Sequence, residues 1–230
     1  MYKCIVVEPE IEGNLGFLAR VMANFDFEQL ILVNPQVRIE KEARDRAVHA
    51  QHILENVKIT DTMEEALKKV DFSVATTGQS ADSSSNVVRN CSDVRKVAER
   101  AGDVEGDVGV VLGRESKGLS NQELEKCDMV VKVPTSEDYP VMNITHAAGA
   151  VFYEFFRSRK KPTKKASSLK EREFIQHTFK NILDKIGYPE EETDRAMRCL
   201  KSFIGRSFLE KKEANTLIGV LKKIENRIGD

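Results

Sequence analysis

Apolar residues fall in two kinds of block along the first two thirds of the 230-residue chain. Runs such as Cys4-Ile5-Val6-Val7, "QLILV" and "DVGVVL" are continuous and rich in β-branched residues, which suits strands buried on both faces. Between them the apolar positions recur every three or four residues. Leu15, Leu18, Val21, Met22 and Phe25 do so, and predict one buried helix face. The order that results is strand "KCIVVEP", helix "NLGFLARVMANF", strand "QLILVNP" and helix "KEARDRAVHAQHIL". A short strand "VKIT" follows, then helix "TMEEALKKV" capped by Asp61 or Thr62, and strand "DFSVATTG". A helix over roughly 92–101, strand "DVGVVLG", a short helix "SNQELEKC", strand "MVVKVP" and the apolar helix "NITHAAGAVFYEFFRSR" complete this part.

Strands alternating with helices predict an α/β fold, with a mostly parallel sheet covered by helices on both faces. Such sheets bind ligands at the carboxyl ends of their strands. The loops after Thr77, Gly113 and Pro134 are therefore where a site is expected.

Beyond residue 158 the pattern changes. "SRKKPTKKASSLKER" has Lys, Pro and Ser with little apolar content, which reads as a basic linker over 159–170. Residues 171–230 then show helical periodicity without strands, in "REFIQHTFKNILDKIG", "TDRAMRCLKSFIGRS" and "KKEANTLIGVLKKIENRI". So few residues form only a small bundle, so this extension is expected to lean on the domain of residues 1–158 or on a second subunit.

The net charge of −1 neither demands nor forbids a nucleic-acid partner, so charge distribution carries more information than its sum. No apolar run is long enough to cross a membrane. "MYKCIVVEP" lacks the apolar core of a signal peptide, and a cytoplasmic location is expected. The four cysteines are scattered without a CxxC pair, and are expected to be reduced and mostly buried. His49 and His52 are three apart but lack a surrounding carboxylate or cysteine set, so a solvated helix face is expected and no metal site.

Four stretches could carry chemistry. "EPEIEGNLGFLARVM" turns from a strand into a helix with Asn14, Gly16 and Arg20, but fails the G-x-G-x-x-G dinucleotide pattern. Taken alone, Arg20 is either a surface residue or a bidentate phosphate clamp. In "LGRESKGLSNQEL", Ser120 and Glu123 read as a capping box, which leaves Gly113, Arg114, Glu115 and Gly118 unexplained. "VPTSEDYPVMNITHAAGAV" brings Asn143 to a helix start. His146 on that helix is expected to pack in the core, and Ala147, Ala148 and Gly149 are small enough for close packing. "ATTGQSADSSS" ends a strand at Thr76-Thr77-Gly78 and continues as a loop.

In this order, the motifs resemble the SpoU/TrmH branch of the SPOUT RNA methyltransferases. Its N-x-G-x-x-x-R motif is matched by Asn14, Gly16 and Arg20, and its G-x-E-x-x-G-L motif by Gly113, Glu115, Gly118 and Leu119. Its third motif, an asparagine entering an apolar helix, is matched by "YPVMNITHAAGAV". The tail "LKSFIGRSFLEKKEANTLIGVLKKI" is similar to that of the tRNA-modifying TrmJ group, so the resemblance covers nearly the whole chain.

The resemblance implies a C-terminal trefoil knot in the α/β domain, a topology that periodicity does not show. It implies S-adenosyl-L-methionine held by Thr76, Thr77, Gly78, Gly113, Val133, Val141 and Met142, and no metal. Arg20, with Asn14, Glu115 and Asn143, is implied in methyl transfer to a ribose 2'-hydroxyl. Arg20 then acts as a base assisted by an RNA phosphate, or as a phosphate clamp that stabilises alkoxide charge. A homodimer through the last helix of the catalytic domain is implied as well. RNA contacts are expected from Arg20, Arg89, Arg114, Lys160, Lys161, Lys164 and Lys165. The substrate so implied is tRNA at position 32 of the anticodon loop, a cytidine and also a uridine. Ribosomal RNA methylation and an inactive RNA-binding relative are the alternatives. Two positions depart from the pattern: Val141 stands where many relatives have serine, and Gln79-Ser80-Ala81 where bacterial TrmJ proteins have arginines.

Overall fold

The computed structural model describes residues 1–78 and 91–228. Its strands are β1 (Tyr2–Val7), β2 (Phe27–Val33), β3 (Lys58–Thr60), β4 (Phe72–Thr76) and β5 (Ser92–Asp93), then β6 (Val104–Glu105), β7 (Val108–Leu112), β8 (Met129–Lys132) and β9 (Lys164–Lys165). Seven of them form a sheet in the order β3-β2-β1-β7-β4-β8-β5. Every pairing in that sheet is parallel. All its strands therefore point their carboxyl ends the same way, as the alternating pattern predicts.

Alternate side chains of each strand enter two cores. On one face Cys4, Val6, Leu30, Val74, Val110 and Val131 lie under α1 (Glu12–Asn24), α2 (Lys41–Ala47), α3 (Gln51–Glu55), α5 (Val94–Asp103) and α7 (Ile144–Arg157). Phe27 stacks on Phe152 there, with ring centroids 3.7 Å apart. On the other face Ile5, Ile31, Ala75, Val111 and Val130 meet α4 (Met63–Leu67) and α6 (Asn121–Lys126). Both faces are covered. α4 is capped by Thr62, not Asp61: the Thr62 hydroxyl accepts from Glu65 N. Ser120 and Glu123 close the expected capping box of α6.

Local backbone corrects three boundaries. The single helix expected over "KEARDRAVHAQHIL" is broken, because Val48 takes a positive φ of 50° and a 3-10 turn (Val48–Ala50) separates α2 from α3. Ser92 and Asp93 are a sheet edge strand, so α5 begins at Val94. The segment read as a linker pairs through β9 with β6. Ser168 then forms a capping box with Glu171, which starts α8 (Leu169–Lys185). Two-residue strands have no periodicity to read.

The extension continues with α9 (Glu190–Ser207) and α10 (Lys211–Ile228), and has a small core of Ile175, Ile204, Leu209 and Ala214. It leans on the sheet domain. Phe208 joins the main core against Phe72, and Gly205 lies so close to Asp128 that a Cβ there would sit 2.0 Å from the Asp128 carbonyl. Arg172, 1% exposed, lies over the Phe72 ring and donates to the carbonyls of Asp71 and Ser167. These contacts gather at the amino ends of β4 and β8, opposite the end where ligands are expected.

Candidate active site

Three loops meet at the carboxyl ends of β4, β7 and β8. They enclose a cavity of about 210 Å³ lined by Thr76, Thr77, Gly78, Gly113, Val133, Val141 and Met142, with Leu112, Ile144 and the 114–119 turn. All seven positions that the resemblance implies for the cofactor line this space. Strand geometry sets the floor: Thr76 Oγ1 donates to the Val111 carbonyl at 3.1 Å, and Thr77 N to the Val131 carbonyl at 3.1 Å.

Gly113 has a specific reason to be glycine. Residues 114 and 118 form an isolated antiparallel bridge, with Gly118 at φ +66°, and fold the turn back over Gly113. A Cβ at Gly113 would lie 2.2 Å from the Gly118 carbonyl carbon and 2.4 Å from Leu119 N, closer than atoms can approach. Gly113→Ala must therefore push this turn out of place. Calorimetry is expected to show cofactor affinity lowered about tenfold or more, in line with overpacking costs of about 1–3 kcal/mol. Unchanged affinity would mean the turn does not shape the pocket.

Both glycines of "EPEIEGNLGFLARVM" lie inside α1. Gly16 lies inside α1, where a Cβ would meet the Ala43 carbonyl at 2.2 Å, so its smallness lets α1 pack on α2. The acidic residues around it each hold another loop. Glu8 accepts from Arg114 Nε at 2.6 Å and from Asn34 Nδ2 at 3.2 Å. Glu10 accepts from Ser116 N and Oγ at 3.0 and 2.9 Å. Glu12 accepts from Glu40 N and Ala43 N, at the start of α2.

Glu115 closes the circle, accepting from Asn14 Nδ2 at 3.0 Å and from Glu10 N at 2.9 Å. The helix that carries Arg20 is thereby tied to the turn that shapes the cavity. Glu8, Glu10 and Ser116 were missed from sequence. The alternation of acids in "EPEIE" is visible, but partners about a hundred positions away are not.

Arg114, expected to contact RNA, is also bonded within the chain. Its guanidinium donates to Glu8, to both oxygens of Glu123 at 2.9 and 2.8 Å, and to the Gly118 carbonyl. Its hydrogen bonds to the Glu123 and Glu8 carboxylates raise its pKa further above its usual value. The Arg114 hydrogen bond lowers the Glu8 carboxyl below its usual range. For Glu123, burial pushes the pKa up, but the bonds from Arg114 and Ser120 outweigh it and the net shift is down. This is a charge-paired clamp inside the chain that engages four of the five guanidinium donors.

Arg20 is exposed on α1, with no ion pair or side-chain hydrogen bond among the described residues. It does not line the cavity, nor do Asn14 and Asn143. Asn143 caps α7, its Oδ1 accepting from Thr145 N at 2.9 Å and Thr145 Oγ1 at 2.8 Å. His146, expected in the core, is exposed. It falls on the outer side of α7, whose inner side Ile144, Ala148 and Val151 occupy.

Arg89, with Gln79, Ser80 and Ala81, lies outside the described residues. Lys160 and Lys164 pair with Asp103 at 3.2 Å and with Glu210, while Lys161 and Lys165 are exposed and have no ion pair among the described residues. His49 and His52 are exposed, and no group of metal-ligating side chains is found among the described residues. No helix among them is long and apolar enough to cross a membrane. Cys4 and Cys127 are buried, and burial pushes the Cys127 thiol up to about 12, whereas Cys199 is exposed.

A parallel sheet with a glycine-walled cavity at its carboxyl ends, braced by an Asn–Glu bond to an arginine-bearing helix, defines a methylase class. Residues 2–153 match the SpoU rRNA Methylase family, and the chain belongs to that family. The chain is 36% identical to the tRNA (cytidine-2'-O-)-methyltransferase TrmJ of Methanocaldococcus jannaschii, over 96% of this chain and 99% of that one. It is 28% identical to the tRNA (cytidine/uridine-2'-O-)-methyltransferase TrmJ of Escherichia coli O6:K15:H31, covering 98% and 95%. The crystal structure of TrmJ from Z. mobilis ZM4 superposes with a TM-score of 0.74 at 25% identity, covering 98% and 99%.

Proposed function

We propose that the chain is an S-adenosyl-L-methionine-dependent tRNA 2'-O-ribose methyltransferase that acts on cytidine, and also on uridine, at position 32 of the anticodon loop. The observation that carries the reading is the convergence of the 76–78, 112–119 and 133–147 segments on a single cavity, bonded to α1 through Asn14 and Glu115. The TrmJ relatives cover the extension as well as the sheet domain, which supports tRNA as the substrate.

The residues fit the cofactor. Leu112, Val133, Met142 and Ile144 offer an apolar lining for an adenine ring, and Gly78 and Gly113 leave backbone accessible where side chains would fill the space. When bound, the cofactor supplies an electrophilic methyl group. The chain's own contribution is placement and charge. A guanidinium is a poor base, so we assign Arg20 to gripping an RNA phosphate and stabilising the charge that develops on the 2'-oxygen. Glu115 and Asn14 hold α1, and with it Arg20, in register with the cavity. Asn143 fixes the start of α7.

We further infer a trefoil knot and a homodimer. The knot is supported by strand order, since β4 lies between β7 and β8 while the chain returns through α7 to the α1 face. The dimer is supported by exposed Ile11 and Phe17 on the α1 side and Tyr153 and Phe156 on α7, large apolar side chains at the face the resemblance implies. The boundary at 158 remains the proposed division of the chain, whereas the one expected at 170 falls inside α8, which begins at Leu169; a cytoplasmic location goes with a tRNA substrate.

Labelled methyl transfer to unfractionated tRNA and ribosomal RNA, followed by nucleoside mass spectrometry, tests the reading. A 2'-O-methylated pyrimidine from the anticodon loop is expected. Label in ribosomal RNA alone would favour the second reading, to which the family's own description points. Replacing Lys161 and Lys165 together by Ala should lower tRNA affinity and flatten its salt dependence by a slope of about 2 if each meets one phosphate. An unchanged slope in filter binding would remove these lysines from the interface.

A further inference from the structure

We propose that the seam between the open edge of the sheet and α9 binds RNA phosphates, leading the substrate backbone from the extension toward the cofactor cavity. The inference deepens the tRNA reading and rests on it. Two adjoining cavities of about 240 and 260 Å³ lie along this seam and share Ser92, Met129 and Arg206. Five cations line them, Lys96 and Arg100 from α5 and Arg198, Lys201 and Arg206 from α9, against Asp93, Glu125 and Asp128.

Two of these carboxylates are already engaged. Asp93 accepts from Arg95 N at 2.8 Å, and Asp128 accepts from Ser73 N and Oγ at 2.9 and 2.8 Å and faces Arg172. By formal charge the lining therefore holds five cations against three carboxylates, and one of the three, Asp128, is already paired with Arg172.

The cations divide by role. Lys201 donates to the Glu125 carbonyl, Arg100 to the Arg206 carbonyl, and Arg206 to the Ser202 carbonyl, so these three build the wall. Lys96 and Arg198 are exposed and have no ion pair or side-chain hydrogen bond among the described residues. They are placed to meet an anion from solvent.

Topology gives the seam a direction. Its lower end is at Asp128, where Gly205 of α9 packs. Its upper end is at Ser92, which pairs with Val131 of β8. The Val131 carbonyl accepts from Thr77 N, and Thr77 lines the cofactor cavity. β8 lies between Ser92 and Thr77, so at about 5 Å per strand a backbone leaving the upper end of the seam is roughly 10 Å from the cavity wall. A chain of phosphates is the ligand such a row of cations suits, and binding by it would depend steeply on salt.

The test is tRNA binding across a salt titration by the full-length Lys96→Glu/Arg198→Glu variant. Lys41→Glu/Lys68→Glu, which changes charge equally on other faces, is the control. Cofactor affinity is measured in parallel. The seam variant is expected to bind tRNA about tenfold or more weakly, with the log–log salt slope reduced by about 2, while cofactor affinity stays unchanged and the control binds within about twofold. Binding by the seam variant that matches the wild type, or an equal loss in the control, would overturn the seam. A wild-type chain that retains no tRNA would overturn the substrate reading along with it. A milder Arg198→Ala variant, expected to reduce the slope by about 1, guards against a misfolded double variant.

Discussion

Replacing Arg20 with Ala is expected to lower methyl transfer about 100- to 1000-fold, the usual effect of removing one preorganised charge-stabilising donor. Cofactor affinity by calorimetry should stay within about twofold. The split follows from position. Arg20 is exposed on α1 and does not line the cavity, while the Asn14–Glu115 bond that braces the cavity lies almost two helical turns earlier on the same helix. Arg20→Lys keeps the charge but loses the planar fork, and should recover only a small part of the rate. Loss of cofactor binding in Arg20→Ala would show that the arginine serves the pocket instead of the RNA.

The second large effect is expected at Arg172, which no functional reasoning singles out. Its guanidinium is buried between the extension and the sheet domain, over Phe72, with Nε 3.5 Å from Asp128 Oδ1 and no hydrogen bond to that nitrogen. Arg172→Met keeps much of the volume but removes the donors to the Asp71 and Ser167 carbonyls. It also leaves Asp128 without its cation. Breaking a buried pair from one side costs about 3 kcal/mol, which corresponds to a melting temperature lower by about 6–12 °C for a chain of this size. The 159–170 segment should also become sensitive to protease, since α8 would lose its anchor. Thermal unfolding and limited proteolysis check both. A variant as stable and as resistant as the wild type would show that Phe208 and Gly205 hold the extension without Arg172.

How much of this was legible in the sequence differs from residue to residue. β7 was unmistakable, because a continuous β-branched run is what a strand buried on both faces requires, and the capping box at Ser120 is a local pattern. The cofactor-cavity residues became visible only through motif resemblance. Nothing in "ATTG" or "YPVMN" shows that they meet. They meet because β4 lies between β7 and β8, a strand order that alternation of elements does not specify. Arg114 shows the same limit: its sequence neighbours do not reveal that Glu8, 106 positions away, lies against it.

The sequence by itself determined the alternation of strands and helices, the parallel character of the sheet, the helical extension and the three motifs. These depend on periodicity, capping and local backbone demands within a few residues. Only the tertiary structure decided which face each loop would serve. It made Gly16 a packing contact and Gly113 a turn contact, and turned "EPEIE" into three loop anchors. It also closed the supposed linker into β9 and lined α9 with cations along the sheet edge. Each of those outcomes depends on a partner far away in the chain, and the identity of a distant partner is a property of the packed fold.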